Sequence, residues 1–304
     1  MSLNGPSDHL RVLNDRTVIS VPASSANLGP GYDCLAVALP LRLTVTLERR
    51  PGPLAITLAG EGSLVLPADE TNLVVATMTE LAGAPRDLAI HIDNEIPLRA
   101  GAGSSSAAIV AGLAAGCLLA GKPVDPAVLL ELAVPLEGHP DNAAAAIYGG
   151  VTIALDGDSP LARRIEPPED LAFVLAVPVV QLCTKKSRRA LRPEVARADA
   201  VHNVQHVALL VHALIGGDLA LLPRALHDRL HQPDRAPLTP LYSELAAAEL
   251  GALGVTLSGA GPSVLVWTSR ADGPAVFERV RALAGDARVL LLAPERAGVL
   301  VSAG

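Results

Sequence analysis

Pro97-Leu98-Arg99-Ala100-Gly101-Ala102-Gly103-Ser104-Ser105-Ser106-Ala107-Ala108 sets a glycine and serine loop directly before an unbroken apolar run. Glycines let backbone N–H groups turn toward an anion, and the positive end of a following helix favours the same charge, so the stretch reads as a phosphate cradle. The three serines add hydroxyls for phosphate oxygens or a metal ion. The plain alternative is a serine-capped buried helix. Two nucleotide motifs are excluded. A P-loop needs Lys followed by Ser or Thr after its second glycine, and none follows Gly103. A dinucleotide fingerprint needs a third glycine where Ser106 stands and an acidic strand end about 20 residues on. Asp125 instead follows Gly121-Lys122-Pro123, a turn.

Outward from this loop, β-rich alternating stretches predict strands over 17–21, 42–48, 54–59 and 88–93, then 151–155, 172–180, 255–257, 263–268 and 288–292. Apolar periodicity with caps and glycine stops predicts helices over 69–82, 105–120, 126–134, 141–148, 197–215, 218–226, 240–250 and 274–284. Pro135 is expected to end its helix at Val134. The polar segment 156–170, with Pro167 and Pro168 adjacent, is the best boundary and divides the chain into 1–165 and 166–304. Strands and helices mixed in this way indicate α+β in both halves.

Composition removes several partners. A net charge of −7 with 2% aromatic residues leaves neither a basic stripe nor stacking platforms, so no nucleic acid is expected. The longest apolar run, 107–120, is short of the roughly 20 residues a membrane span needs, so no membrane is expected either. Asp8, His9, Arg11, Asp15 and Arg16 leave no apolar stretch for a signal peptide. Cys34, Cys117 and Cys183 are odd in number and widely spaced, which fits reduced thiols and a cytoplasmic protein.

Three further clusters carry chemistry. Residues 21–33 hold Asn27 and Asp33 in a segment rich in Pro and Gly, a rigid polar loop or else a turn in which both side chains bond their own backbone. Glu131, with Glu137-Gly138-His139-Pro140-Asp141-Asn142, supplies carboxylates, an imidazole and an amide. Glu131 lies among leucines, where a half-buried carboxylate is costly unless it is partnered. Residues 256–263 form a glycine-rich turn between two strands.

Together these segments resemble the galactokinase, homoserine kinase, mevalonate kinase and phosphomevalonate kinase superfamily, most of all its homoserine kinase branch. The likeness is carried by P-A-S-S-A-N-L-G-P-G-Y-D at 22–33 and E-G-H-P-D-N at 137–142. T-K-K-S-R at 184–188 with Leu191 and Pro193, and H-Q-P-D-R at 231–235, add to it. The resemblance implies an N-terminal domain like ribosomal protein S5 domain 2, a ferredoxin-like C-terminal domain and an active site between them. It implies ATP-dependent phosphorylation of L-homoserine to O-phospho-L-homoserine, a step of threonine biosynthesis, with Mg2+ and by a chain acting alone or as a homodimer. Gly101, Ala102, Gly103, Ser104, Ser105 and Ser106 would then be the ATP phosphate loop, Asn72 would lie near the adenine, and Ser105 and Glu131 would hold Mg2+. Asn27, Asp33, His139, Arg188 and Arg235 would bind the amino-acid substrate, with Asn27 and Arg188 counted as catalytic. The assignment is chemically apt: a zwitterion needs an anion for its ammonium and forked cations for its carboxylate. Asp234 stands beside Arg235, however, where an ion pair would compete with that carboxylate.

Other readings use the same motifs. A sister kinase would take another small alcohol, and a non-catalytic relative would bind nucleotide as a sensor. His202 with His206, and His227 with His231, stand four apart on expected helices and raise a metal hydrolase. No Glu follows the first His of either pair, so these read as helix-surface or packing histidines.

Overall fold

The computed structural model describes residues 15–180, 182 and 184–303. The acidic and basic residues at 8–11 and Cys183 lie outside the described residues.

The first unit opens with β1 (Arg16–Ala26) and β2 (Leu35–Arg49), which run antiparallel with a register shift between Pro22 and Ala23. Proline cannot donate to a ladder, and the irregularity at Pro22 accommodates that. Both strands outrun the expected ones, so Ala23 to Ala26, expected as loop, pair with the apolar start of β2. Next come β3 (Ala55–Gly60), α1 (Leu73–Ala82) and β4 (Leu88–Asn94). Helix α1 starts later than 69 because Asp69 accepts from Thr71 N and Oγ1 in an Asx turn, and Asn72 then caps Val74 N.

Helix α2 (Ser104–Leu119) is apolar on every side and twelve of its residues are buried, which makes it the central element of the first unit. Gly112 allows the close approach of α1: a Cβ there would stand 2.5 Å from Val74 O. Helices α3 (Pro126–Glu137) and α4 (Asp141–Tyr148) follow, then β5 (Val151–Leu155) and β6 (Leu161–Ile165). Pro135 does not end α3. It sits in the last turn, where its missing N–H forfeits only the bond to Glu131 O, and Gly138 in left-handed conformation closes the helix by donating to Val134 O. Strand β6 arises within the polar segment, where Ala162 and Ile165 face inward.

The second unit contains β7 (Leu171–Val177), α5 (Thr184–Arg189), α6 (Arg197–Gly216), α7 (Leu222–Ala225), α8 (Gln232–Arg235) and α9 (Pro240–Ala247). It continues with β8 (Gly254–Leu257), β9 (Val264–Ser269), α10 (Gly273–Leu283) and β10 (Arg288–Leu292). A last strand, β11 (Leu300–Ala303), was not expected.

Two sheets result. One has seven strands in the path β11-β1-β2-β4-β3, with β5 joining β2 and β6 beyond it. The other has four antiparallel strands in the order β10-β7-β9-β8, which in sequence terms is fourth, first, third, second, the ferredoxin-like order. The chain leaves the first sheet at Ile165 and returns to it through β11, which pairs with β1. The glycine-rich turn between β8 and β9 joins the two units: Gly259 N donates to Ala26 O, Ser258 Oγ to Gly101 O and Ser263 N to Ala100 O.

Candidate active site

A cavity of about 750 Å³ lies where the β1–β2 loop, the start of α2, the end of α3 and the β8–β9 turn converge. Its lining includes Asn27, Asp33, Asn72, Gly101 to Ser105, His139, Arg188 and Arg235, so the fold brings together residues scattered over two hundred positions.

At one end, Gly103 precedes α2 with φ +71° and no side chain caps the helix. The first N–H groups of α2 therefore remain for an anion. The glycine is demanded by contact as well as by φ, since a Cβ would stand 2.1 Å from Ser24 Oγ. That hydroxyl donates to Asn142 Oδ1 at 2.8 Å, tying the 22–33 motif to the 137–142 motif beneath the loop. Ser106 is different from its neighbours: it is buried, does not line the cavity, and its Oγ has no partner. Of the expected phosphate loop, residues 101–105 line the cavity and Ser106 does not. Asn72 lines the cavity, but its Oδ1 caps α1 and its Nδ2 donates to Pro67 O, so the apolar side chains around it form the wall of that end.

Glu131, expected as a metal ligand, is placed away from the cavity. It is exposed on α3 and does not line the cavity, because the continuous helix turns it to solvent. Glu137, one and a half turns on, comes to the cavity, where Ser105 Oγ donates to its Oε1 at 2.6 Å. Its side chain is only 9% exposed, and among the described residues its one ion-pair partner is His139, 3.9 Å away. A nearly buried carboxylate without an Arg or Lys partner is a place for a cation. Serine and carboxylate oxygens suit Mg2+, which takes one or two protein oxygens and fills its shell from phosphates and water.

The other end is charged. Asn27, Leu28 and Asp33 all have positive φ (70°, 47° and 51°), and such backbone strain in a cavity wall marks a functional loop. Asn27 Nδ2 donates to Gly259 O at 2.8 Å and its Oδ1 accepts from Asp33 N at 3.0 Å, so Asn27 holds the loop in shape. The Asp33 carboxylate takes a bidentate fork from Arg188 at 2.8 and 3.0 Å, and Arg188 also donates to Tyr32 Oη. The two groups are each about one-third exposed, an opposite-charge pair open to exchange with a zwitterion. His139 Nδ1 lies 2.8 Å from the buried Asp141. Burial disfavours the imidazolium, but the hydrogen bond to Asp141 and the charges of Asp141 and Glu137 outweigh it and raise the pKa of His139 above its usual value.

Arg235 is 1% exposed, and the anticipated ion pair with Asp234 does not form. Asp234 faces outward and pairs with Arg192 at 3.0 Å. Arg235 instead reaches the cavity over the Tyr32 ring, 5.3 Å from its centroid, with its Nε unpartnered. Of the two histidine pairs, one lies on a helix as expected and the other does not. His202 and His206 stack on α6 at 3.7 Å, whereas His227 and His231 belong to no common helix and His231 is fully buried. Tyr32, Glu137 and His231 were missed as site residues. Each lies inside a quoted motif, Tyr32 beside Asp33, Glu137 two residues before His139 and His231 four before Arg235.

Known proteins share this architecture. Residues 72–150 match the GHMP kinases N terminal domain and 210–286 the GHMP kinases C terminal domain. The chain is 40% identical over 294 residues to a homoserine kinase of Desulfitobacterium hafniense, covering 93% of this chain and 99% of that one. It is 44% identical over 254 residues to a homoserine kinase of Deinococcus radiodurans, covering 81% and 82%. A crystal structure of homoserine kinase from Cytophaga hutchinsonii superposes with TM-score 0.81 at 28% identity, over 99% of this chain and 100% of that one. Phosphomevalonate kinase of Streptococcus pneumoniae shares the fold at TM-score 0.69 and 14% identity, over 91% and 99%. With its two-sheet architecture, its uncapped glycine loop and this similarity along nearly its whole length, the chain belongs to the homoserine kinase family of the GHMP kinases.

Proposed function

We propose that the protein transfers the γ-phosphoryl group of Mg-ATP to the side-chain hydroxyl of L-homoserine, giving O-phospho-L-homoserine. The observation that carries this reading is one cavity with an uncapped, glycine-bounded helix N-terminus at one end and Asp33, Arg188 and Arg235 at the other. The first favours the phosphates and the second an amino-acid zwitterion. The similarity to proteins named homoserine kinases supports the same substrate.

Ser105 and Glu137 are the oxygens that would hold Mg2+, which when bound neutralises phosphate charge. The chain's own groups supply the rest. N–H groups of 103–105 and the α2 dipole face the charge that grows on the transferred group. Asp33 receives the substrate ammonium, and Arg188, released from Asp33, joins Arg235 on the carboxylate. His139, oriented by Asp141, and the amide of Asn27 lie beside the hydroxyl. Asp33, occupied by the ammonium, takes no part as a base. The two sheets support a division near 165, with the second unit completing the substrate end. Cys34 and Cys117 are free thiols, which supports a cytoplasmic setting. No helix among the described residues is long and apolar enough to cross a membrane.

ADP release with Mg-ATP against homoserine, serine, threonine, mevalonate and galactose tests the reading. Homoserine should give the highest kcat/KM. Preference for mevalonate or galactose would assign the chain to a sister activity, and ATP binding without turnover on any acceptor would make it a sensor.

A further inference from the structure

Arg235 is a buried guanidinium that forms no ion pair with a carboxylate among the described residues. Both of its hydrogen bonds leave from Nη1: one reaches His231 Nδ1 at 3.1 Å, the other Gly259 O at 3.3 Å. His231 has 0% exposure and its second nitrogen, Nε2, lies 2.8 Å from Gly29 O. A carbonyl oxygen only accepts and a guanidinium only donates, so the two contacts together choose one form of the ring. Nε2 carries the proton and donates to Gly29, and Nδ1 presents its lone pair to Arg235. A protonated ring would set N–H against N–H.

The surroundings keep the ring in that form. Asp228, also buried, accepts from the backbone N of Leu230, His231 and Gln232 and from Asn203 Nδ2. Its negative charge is therefore spent on the turn that places His231, although it comes within 3.6 Å of Nε2. Burial, the largest influence, and the positive charge of Arg235 hold the His231 pKa below the ordinary histidine value against the pull of Asp228 and Asp33. Asn203 also donates to Pro30 O, so the same network grips the loop that carries Asp33.

We propose that His231 is a positioning residue for substrate recognition: its Nδ1 holds Nη1 of Arg235, turning the unpartnered edge of the guanidinium into the cavity for the carboxylate of the amino-acid substrate. The inference rests on the reading that Arg235 takes that carboxylate. A neutral imidazole is suited to the task. A carboxylate in its place would fix the guanidinium equally well but would neutralise the charge the substrate needs, whereas imidazole aims the cation and leaves its charge unspent.

Asparagine and glutamine separate the two nitrogens. Asparagine Oδ1 falls near the position of Nδ1 and keeps the acceptor for Arg235; glutamine Nε2 falls near the position of the ring Nε2 and keeps only the donor to Gly29. His231→Gln should raise the homoserine KM about 10- to 100-fold, the loss of one hydrogen bond to a charged group, with the ATP KM unchanged. His231→Asn should stay within about threefold of the parent. Equal effects of the two variants, or a shift in the ATP KM as large as that for homoserine, would overturn the proposal in favour of a packing role. Arg235→Gln is measured alongside: if it leaves the homoserine KM unchanged, the carboxylate reading itself fails, whereas a raised KM there with a normal His231→Gln defeats only the present inference. The 15N spectrum of histidine-labelled parent protein needs no variant. It should show His231 as the Nε2–H tautomer, with its Nδ1 resonance moved by homoserine and not by ATP; an Nδ1–H tautomer or an imidazolium would refute the proposal even if both variants failed to fold.

Discussion

Glu137→Gln against Glu131→Gln is the sharpest test of how the site works, because the two carboxylates lie on one helix and only one meets the cavity. Glutamine preserves the shape of Glu137 and can still accept from Ser105 Oγ, whose 2.6 Å bond is the local anchor, so the fold should survive. What disappears is one negative charge on a side chain 9% exposed. At an effective dielectric of about 20, a unit charge pair 4 Å apart is worth about 4 kcal/mol, and part of that is returned because the neutral amide costs less to bury. A net loss of about 3–4 kcal/mol corresponds to a fall of roughly 10²- to 10³-fold in kcat/KM for Mg-ATP, the range found when one preorganised electrostatic partner is removed. Glu131, exposed on α3, should behave as a surface substitution, with a change within about 0.5 kcal/mol, or about twofold. The assay is ADP release at saturating homoserine over a Mg2+ titration, with circular dichroism to confirm folding. Glu137→Gln should also need more Mg2+ for half-maximal rate. A Glu131→Gln loss as large as that of Glu137→Gln, or an unchanged Mg2+ dependence in Glu137→Gln, would refute the reasoning.

Gly103→Ala would place a methyl group at φ +71° and 2.1 Å from Ser24 Oγ. Left-handed backbone costs an alanine about 1–2 kcal/mol and loss of the Ser24–Asn142 bond about 1 kcal/mol more, so Tm should fall by about 3–5 °C and the ATP KM should rise; an unchanged melting curve counts against this packing. Asp33→Asn should raise the homoserine KM at least tenfold while leaving Arg188 without its fork, and a small change in that KM would show that the ammonium binds elsewhere. His139 has a folded pKa above its unfolded value, so its contribution to stability is full below about pH 6.5 and is lost as pH rises through the folded value. Without Mg2+, the fall in Tm from pH 6 toward alkaline pH should therefore be shallower in His139→Gln than in the parent, and parallel curves would contradict the assignment.

Much of the fold was legible in the sequence because it is written in local signals. The apolar run after Gly103, the glycine stops at 83 and 121 and the Pro126 start are properties of a few neighbouring residues, and α1 to α4 lie close to where those residues put them. Strand lengths were underestimated. Pairing of Ala23 to Ala26 with the start of β2 depends on a partner that local pattern does not reveal, and the same holds for β6 and for β11, which finds β1 nearly three hundred residues away. Resemblance to a family carried the choice of substrate residues, and all five of those line one cavity.

Two decisions belonged to tertiary structure alone. Glu131 and Glu137 look equally suitable on paper, since a carboxylate among leucines suggests burial, and Pro135 suggests that the helix stops between them. The helix instead runs on because a proline in its last turn sacrifices a single bond, and that extra turn delivers Glu137 to Ser105 while Glu131 faces water. Arg235 and Asp234, adjacent in sequence, look like a pair, yet α8 turns one inward over Tyr32 and the other outward to Arg192. Residue types and spacing determined that this chain carries a glycine and serine loop, two arginines and an acidic motif in family order. Which carboxylate lines the cavity, and whether Arg235 or Asp234 faces it, depended on the direction in which each helix presents its side chains, because neighbours along a helix point about 100° apart and only packing decides which of those directions is the cavity.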